Sequence, residues 1–186
     1  MAKAKERKKK HWIKIVAPSE FGNKIIGETI CSEAKNIIGR TLKVNVFSVT
    51  GDFKKQNTHL AFVVKDVTDG KASTELYRYY VSLSHLKRMV RKAKNKIDDS
   101  FVVDTKDNIK IKIKPVMLTK QKTSRSVLTA LRKKAREIIS NYSKVNSFSN
   151  FVREVISNKV QIITKKELKS VYPLSLYEIK SIEKIK

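Results

Sequence analysis

The sequence is poor in the residues that build cofactor cradles and covalent cross-links. Its 186 residues include five glycines, three prolines, one tryptophan and one cysteine. Cys31 has no partner for an internal disulfide, which fits a reducing compartment and predicts a cytoplasmic protein. Five glycines leave little material for a phosphate-binding loop, and no glycine-rich nucleotide motif or nucleophile elbow is present. Apolar runs are also short. None approaches the roughly 18 residues that a membrane-spanning helix needs. No apolar stretch of signal-peptide type follows the charged N-terminus, and Met-Ala-Lys offers no acylation site. The scarcest commodity is negative charge: 17 Asp+Glu face 42 Lys+Arg, a formal charge of +25.

What is there reads as a core inside a self-repelling surface. Hydrophobic residues make up 40% of the chain, enough to fold. Net charge for a small soluble domain is usually about 2 to 8 in magnitude, so +25 predicts a polyanionic partner. With no membrane signal, that partner is intracellular nucleic acid.

Along the chain, residues 1–11 read as a disordered basic arm and 12–186 as one α+β domain. Trp12–Val16 reads as a strand closed by Ala17-Pro18, and Asn23–Ile30 as a second, interrupted at Gly27. Ile38-Gly39-Arg40 reads as a turn before a strand over Thr41–Val49, where Leu42, Val44 and Val46 alternate with polar residues. Thr58–Val67 and Glu75–Ser82 flank the hairpin signal Asp69-Gly70. A helix capped by Ser84 is expected to carry Leu86, Met89, Val90, Ala93 and Ile97 on one face. Phe101–Val103 is a short strand, and Lys106-Asp107-Asn108 a turn. Ile109–Lys114 then alternates isoleucine and lysine strictly, one face apolar and the other cationic. Helices are expected over Ser124–Tyr142, over Ser147–Ser157, and from a capping box at Thr164-Lys165-Lys166-Glu167 to Val171. After Pro173, Leu174–Lys180 reads as a strand. Many antiparallel-type strands with three to four helices concentrated late make the class α+β.

The positive charge is clustered. Residues 87–96 hold Lys87, Arg88, Arg91, Lys92, Lys94 and Lys96 with no acid, and 119–136 form a longer acid-free run. An ordinary solvated helix mixes signs at i,i+4, whereas Arg88/Lys92 and Arg132/Arg136 repeat one sign. That cost calls for a partner. The candidate RNA contacts are Lys8, Lys9, Lys10, Arg88, Arg91, Lys92, Lys120, Lys122, Arg125, Arg132, Lys133 and Arg136. Each phosphate that such a residue neutralises releases counterions, the term that supplies sequence-independent affinity. No helix-turn-helix, zinc finger or basic zipper is present. A footprint spread over an arm, a loop, two helices and a lysine-faced strand suits irregular folded RNA better than one duplex groove.

A search for chemistry finds no catalytic residue, cofactor or metal site and no small-molecule substrate. Ser84-x-x-Lys87 and Ser32-x-x-Lys35 lack the partner motifs of the penicillin-binding pattern. Cys31, His11, His59 and His85 have no zinc-ligand spacing. Asp98-Asp99 and Asp104/Asp107 read as turn chemistry rather than a carboxylate pair for metal. Trp12, Phe21, Tyr77, Tyr79 and Tyr80 offer stacking surfaces, though core packing accounts for most of them. A ribosomal component, a ribosome-associated RNA-binding translation factor or nucleoid protein, and an RNA-modifying enzyme stand as rivals at this level, and the enzyme would need a cofactor loop that is missing.

Several short stretches together carry a resemblance. Trp12-x-x-x-Val16-Ala17-Pro18-x-x-Phe21, Gly39-Arg40, Val46-Phe47-x-Val49 and Lys65-x-Val67 come in order. Val102-x-x-Thr105-Lys106-Asp107, Thr119-Lys120, Arg132-Lys133-Lys134-x-x-x-Ile138 and Ser170-Val171-Tyr172-Pro173-Leu174 follow. Across most of 12–180 the chain resembles the archaeal and eukaryotic small-subunit ribosomal protein family "S one e", also called "S three a e", at archaeal-type length. The resemblance implies an antiparallel β-barrel-like body with flanking helices on the platform of the small subunit. It also implies contacts with rRNA near its 3′ end, neighbouring platform proteins, and messenger RNA at the exit. No catalytic residues come with it.

Overall fold

The computed structural model describes residues 10–90 and 93–185. Strands β1 (His11–Val16), β2 (Ile25–Cys31) and β3 (Thr41–Asn45) precede a short helix, α1 (Val46–Thr50). The long hairpin β4 (Thr58–Thr68) and β5 (Lys71–Val81) leads to α2 (Leu83–Met89), β6 (Lys96–Asp98), β7 (Phe101–Asp104) and β8 (Lys110–Thr119). Helices α3 (Arg125–Val145), α4 (Phe148–Ile156) and α5 (Lys159–Leu168) then come in succession, and β9 (Leu174–Lys184) returns to the sheet. The β4–β5 turn follows from two left-handed residues, Asp69 at φ 49 and Gly70 at φ 72. That pair matches the strand twist of a tight hairpin.

All nine strands join one branched sheet, in the order β2-β1-β5-β9-β8-β6, with β4 on β5, β3 on β4 and β7 on β8. The α+β class is as expected. The sheet does not close on itself, so the barrel-like body is an open, strongly branched sheet.

Register explains how one sheet serves two purposes. Val44, Leu60, Tyr79, Ile182 and Ile113 are successive cross-strand neighbours on β3, β4, β5, β9 and β8. None of these side chains is more than 8% exposed. They pack with Leu131, Ala135 and Ile139 of α3, Phe148, Phe151, Val152 and Val155 of α4, and Val160 and Leu168 of α5. Burying each such aliphatic or aromatic side chain contributes about 1.5–3 kcal/mol before entropy is counted. A second, smaller cluster joins Ile13, Ile15, Cys31, Ile37, Val64 and Ala72 under β1 and β2.

Several elements differ from the sequence reading, each for a physical reason. β2 runs through Gly27, and the expected interruption is a register shift beside it, between Ile15 and Val16 on β1. Leu42 Cδ2 lies 3.4 Å from where a Cβ would stand, an ordinary packing distance. β3 stops at Asn45 because its side chain accepts the Phe47 N–H and turns the chain into α1, which buries Val46 and Val49. Ser82, not Ser84, caps α2 through the His85 N–H. The helix ends at Met89, and Ile97 is a buried strand residue opposite Met117. A run of like charges gives α2 no i,i+4 support beyond that point. Thr164 opens no helix. It lies buried inside α5, which begins at Lys159 directly after Asn158 turns left-handed at φ 63. Burial of α5 against β9 overrides the β-branched composition of residues 160–164. β8 and β9 both extend further than expected, to Thr119 and Lys184. Pro115 is tolerated within β8 because the register shifts there, between Lys114 and Pro115.

Candidate nucleic-acid interface

The two basic runs of the sequence are stitched together by a polar knot. The Asn95 side chain accepts the Thr123 N–H at 3.0 Å, the Asn95 N–H donates to Thr119 Oγ1 at 2.9 Å, and the Thr119 N–H donates to the Asn95 carbonyl at 3.0 Å. Thr119 is fully buried and forms the foot of the loop that carries Lys120 and Lys122. That loop enters α3 at Ser124, so Lys120, Lys122, Arg125, Arg132 and Lys133 lie along one loop and helix, all exposed. None of their side chains has an ion-pair partner among the described residues. The helix holds this face outward because Leu131, Ala135 and Ile139 commit the opposite face to the core.

Arg136 is different. Its guanidinium clamps Asp99 in two bonds, Nε to Oδ2 at 2.6 Å and an Nη to Oδ1 at 2.5 Å, and lies over the Phe101 ring at 5.7 Å. The Asp99 side chain is only 7% exposed, so Arg136 compensates a carboxylate that water hardly reaches. The Arg136 hydrogen bonds pull the Asp99 carboxyl below its ordinary value, and the Ser100 N–H and the Arg132 charge add to this. The partner demanded by the Arg132/Arg136 repeat is therefore internal at Arg136, whereas Arg132 acts on Asp99 only through its charge and has no ion-pair partner among the described residues.

Other candidates fall into place. Arg88 is exposed in the last turn of α2, and Lys10 is exposed just before β1. Lys8, Lys9, Arg91 and Lys92 lie outside the described residues. Asp98 pairs with Lys96 at 2.6 Å, and Asp107 accepts the Phe148 N–H at 3.0 Å at the start of α4. Ion pairing accounts for Asp98 and Asp99, where turn chemistry was expected, and capping accounts for Asp107; among the described residues no His, Cys, Asp and Glu group could hold a metal ion. No described helix is long and apolar enough to cross a membrane. Phe21 packs edge-on against Phe62 in the core, Tyr79 is buried, and Trp12 stands 67% exposed on β1.

The sequence reading saw a lysine-faced strand but could not see its neighbours. On the face of the sheet opposite the buried row, Lys43, Ala61, Arg78, Glu183 and Lys112 form one cross-strand row. Asn45, His59, Tyr80, Ser181 and Lys114 form the next. Strand alternation in the sequence hints at each residue singly; only register assembles them.

Comparison with known proteins agrees with this picture. The profile of the Ribosomal S3Ae family matches residues 2–186. The chain is 30% identical over 179 residues to the small ribosomal subunit protein eS1 of Haloquadratum walsbyi, covering 96% of this chain and 84% of that protein. The eS1 protein of Archaeoglobus fulgidus is 31% identical over 176 residues, covering 94% and 83%, and that of Saccharolobus islandicus 30% over 179, covering 96% and 86%. A family match across nearly every residue, on a chain with an outward cationic face, leads to one conclusion: the chain belongs to the Ribosomal S3Ae family, and is a ribosomal protein, structural rather than enzymatic.

Proposed function

We propose that this ribosomal protein is a structural constituent of the small subunit that binds rRNA on the platform, near the messenger exit. The observation that carries the reading is the acid-free surface of the 119–136 loop and helix, where Lys120, Lys122, Arg125, Arg132 and Lys133 point outward without internal partners among the described residues. A free helix gains nothing from such spacing, whereas phosphates offset the repulsion. Arg88, Arg91 and Lys92 extend the footprint, because the Asn95–Thr119 knot holds the end of their run beside the loop. Lys8, Lys9 and Lys10 belong to the same footprint at the N-terminus. Arg136 belongs to it through position only, since its charge is spent on Asp99. Platform proteins and messenger RNA at the exit are the further partners.

Sedimentation tests the reading. The chain should run with small subunits on a sucrose gradient and stay after a high-salt wash; release by the wash would identify a loosely bound translation factor instead. Replacing Lys120, Arg132 and Lys133 by Gln should weaken binding to platform rRNA fragments. It should also flatten the slope of log affinity against log salt by about two to three units. An unchanged slope would move the footprint off α3.

A further inference from the structure

The open face of the sheet contains a second, separate surface. Its two cross-strand rows surround a groove of about 450 Å³ lined by Lys43, Ala61, Arg78, Tyr80, Lys114 and Lys180, among others. Ala61 and Ser181 are small and buried, so they form a floor, and the long side chains form the walls. Across the floor lies a stack. The His59 and Tyr80 rings are 5.2 Å apart and 20° from parallel, and the Arg78 guanidinium sits 5.5 Å from the Tyr80 ring centre. Two neighbouring depressions share Lys180, and one of them sets Lys112 and Lys114 beside Asp98 and Asp99, whose charges are paired with Lys96 and Arg136.

The only acid in the two rows, Glu183, is engaged: Tyr77 donates to it at 3.2 Å and Arg78 lies 3.9 Å away. Lys43, Lys112, Lys114 and Lys180 have no ion-pair partner among the described residues. The Arg78 Nε is buried without a hydrogen-bond acceptor in this state. Helices occupy the other face of these strands, while on this one Lys43 and Lys112 stand exposed among the described residues.

We infer that this open sheet face binds a single-stranded segment of RNA, with a base added to the end of the His59–Tyr80–Arg78 stack and phosphates on Lys43, Lys114 and Lys180. The inference rests on the reading of the chain as an RNA-binding ribosomal protein. Cations alone would suit any polyanion; it is the ring stack between them that favours RNA with unstacked bases over a duplex or an acidic peptide. A duplex presents its phosphates but keeps its bases paired, whereas sheet faces with aromatic side chains take splayed bases. This surface is distinct from the α3 face, so the protein has two places to hold RNA.

The test uses the full-length chain and fluorescence anisotropy with an eight-nucleotide uridine-rich RNA, its duplex form, and a glutamate peptide of equal charge. The single strand should bind best. Tyr80→Leu should weaken it about ten-fold or more by removing the stack, at nearly unchanged salt slope. Tyr80→Phe should restore it. The triple change Lys43→Gln, Lys114→Gln, Lys180→Gln should flatten the salt slope by about two units, at about 0.7 per phosphate on a single strand. Thermal melts of every variant separate lost contacts from lost folding. Equal binding of the duplex, preference for the peptide, or indifference to Tyr80→Leu would overturn the inference. The α3 variants should leave this single-strand binding nearly intact while losing rRNA-fragment binding. If the face variants have no effect and the α3 variants do, only this inference falls; loss of subunit co-sedimentation by the unaltered protein would overturn the ribosomal placement itself.

Discussion

Two faces of the same strands follow opposite rules. Ile113 on β8 and Ile182 on β9 are sealed beneath the helices, while Lys112 and Lys114, one residue to either side of Ile113, face away from them. The covered face is specified by volume and tolerates no charge. The open face sets charged side chains around two small buried residues, Ala61 and Ser181. A helix shows the same contrast within one turn: Arg136 is tied to Asp99, whereas Arg132, four residues earlier, has no ion-pair partner among the described residues. Positive charge in this protein is therefore of two kinds, one holding the fold and one directed outward.

The strongest way to break the comparison is to exchange the two rules. Ile113→Lys places an ammonium in a fully buried row beside Ile182 and Phe101. Desolvating it without a partner should cost more than about 4 kcal/mol, enough to remove most of a small domain's stability. Urea denaturation should find little or no folded protein. A variant that folds with a midpoint near wild type would show that the covered face is loosely packed.

The next largest effect separates the two kinds of arginine. Arg136→Gln strands the poorly solvated Asp99 carboxylate and should destabilise by about 1–3 kcal/mol. Arg132→Gln should change stability by less than about 0.5 kcal/mol, as an exposed charge does. The pH dependence has a definite sign. Asp99 has a folded-state pKa held below its unfolded value by Arg136. Its contribution is therefore present above the ordinary carboxylate range and lost as pH falls through the folded value. The stability gap between wild type and Arg136→Gln should be full near neutrality and should narrow below about pH 4. A gap independent of pH would mean that the Phe101 contact, not the ion pair, carries the effect.

This arginine also marks what the sequence could and could not reveal. The acid-free run from 119 to 136 was visible, and so was the helix that bears it. The Asp99 clamp was not, because it joins positions 37 apart, and an acid outside the run gives no local sign of its partner. Local signals did well where chemistry is local: Asp69-Gly70 produced its hairpin, the Ile/Lys alternation its two-faced strand, and Phe148, Phe151, Val152 and Val155 their buried helix face. They failed at α5 and at Ile97, where burial against distant strands decides the local conformation. The open-face groove was out of reach for the same reason. Lys43, Arg78 and Lys114 are unremarkable until register sets them in adjoining rows.

The smallest expected effect is the most discriminating for the open face. Lys112→Gln with Lys114→Gln removes two cations from β8 without touching the buried row. If they hold no internal partner, only mutual repulsion and some packing of their aliphatic stems are lost. Unfolding free energy should then stay within about 0.5 kcal/mol of wild type and rise slightly at low salt, where repulsion is least screened. Raising the salt concentration should bring the two melting curves together. A loss above about 1 kcal/mol would show instead that these stems pack on their cross-strand neighbours, Val102 and Glu183 for Lys112 and Ser181 for Lys114, and shape the sheet. The open face would then obey the same rule as the covered one. Constancy of stability alongside loss of RNA affinity is what distinguishes a surface kept for a partner from one kept for the fold.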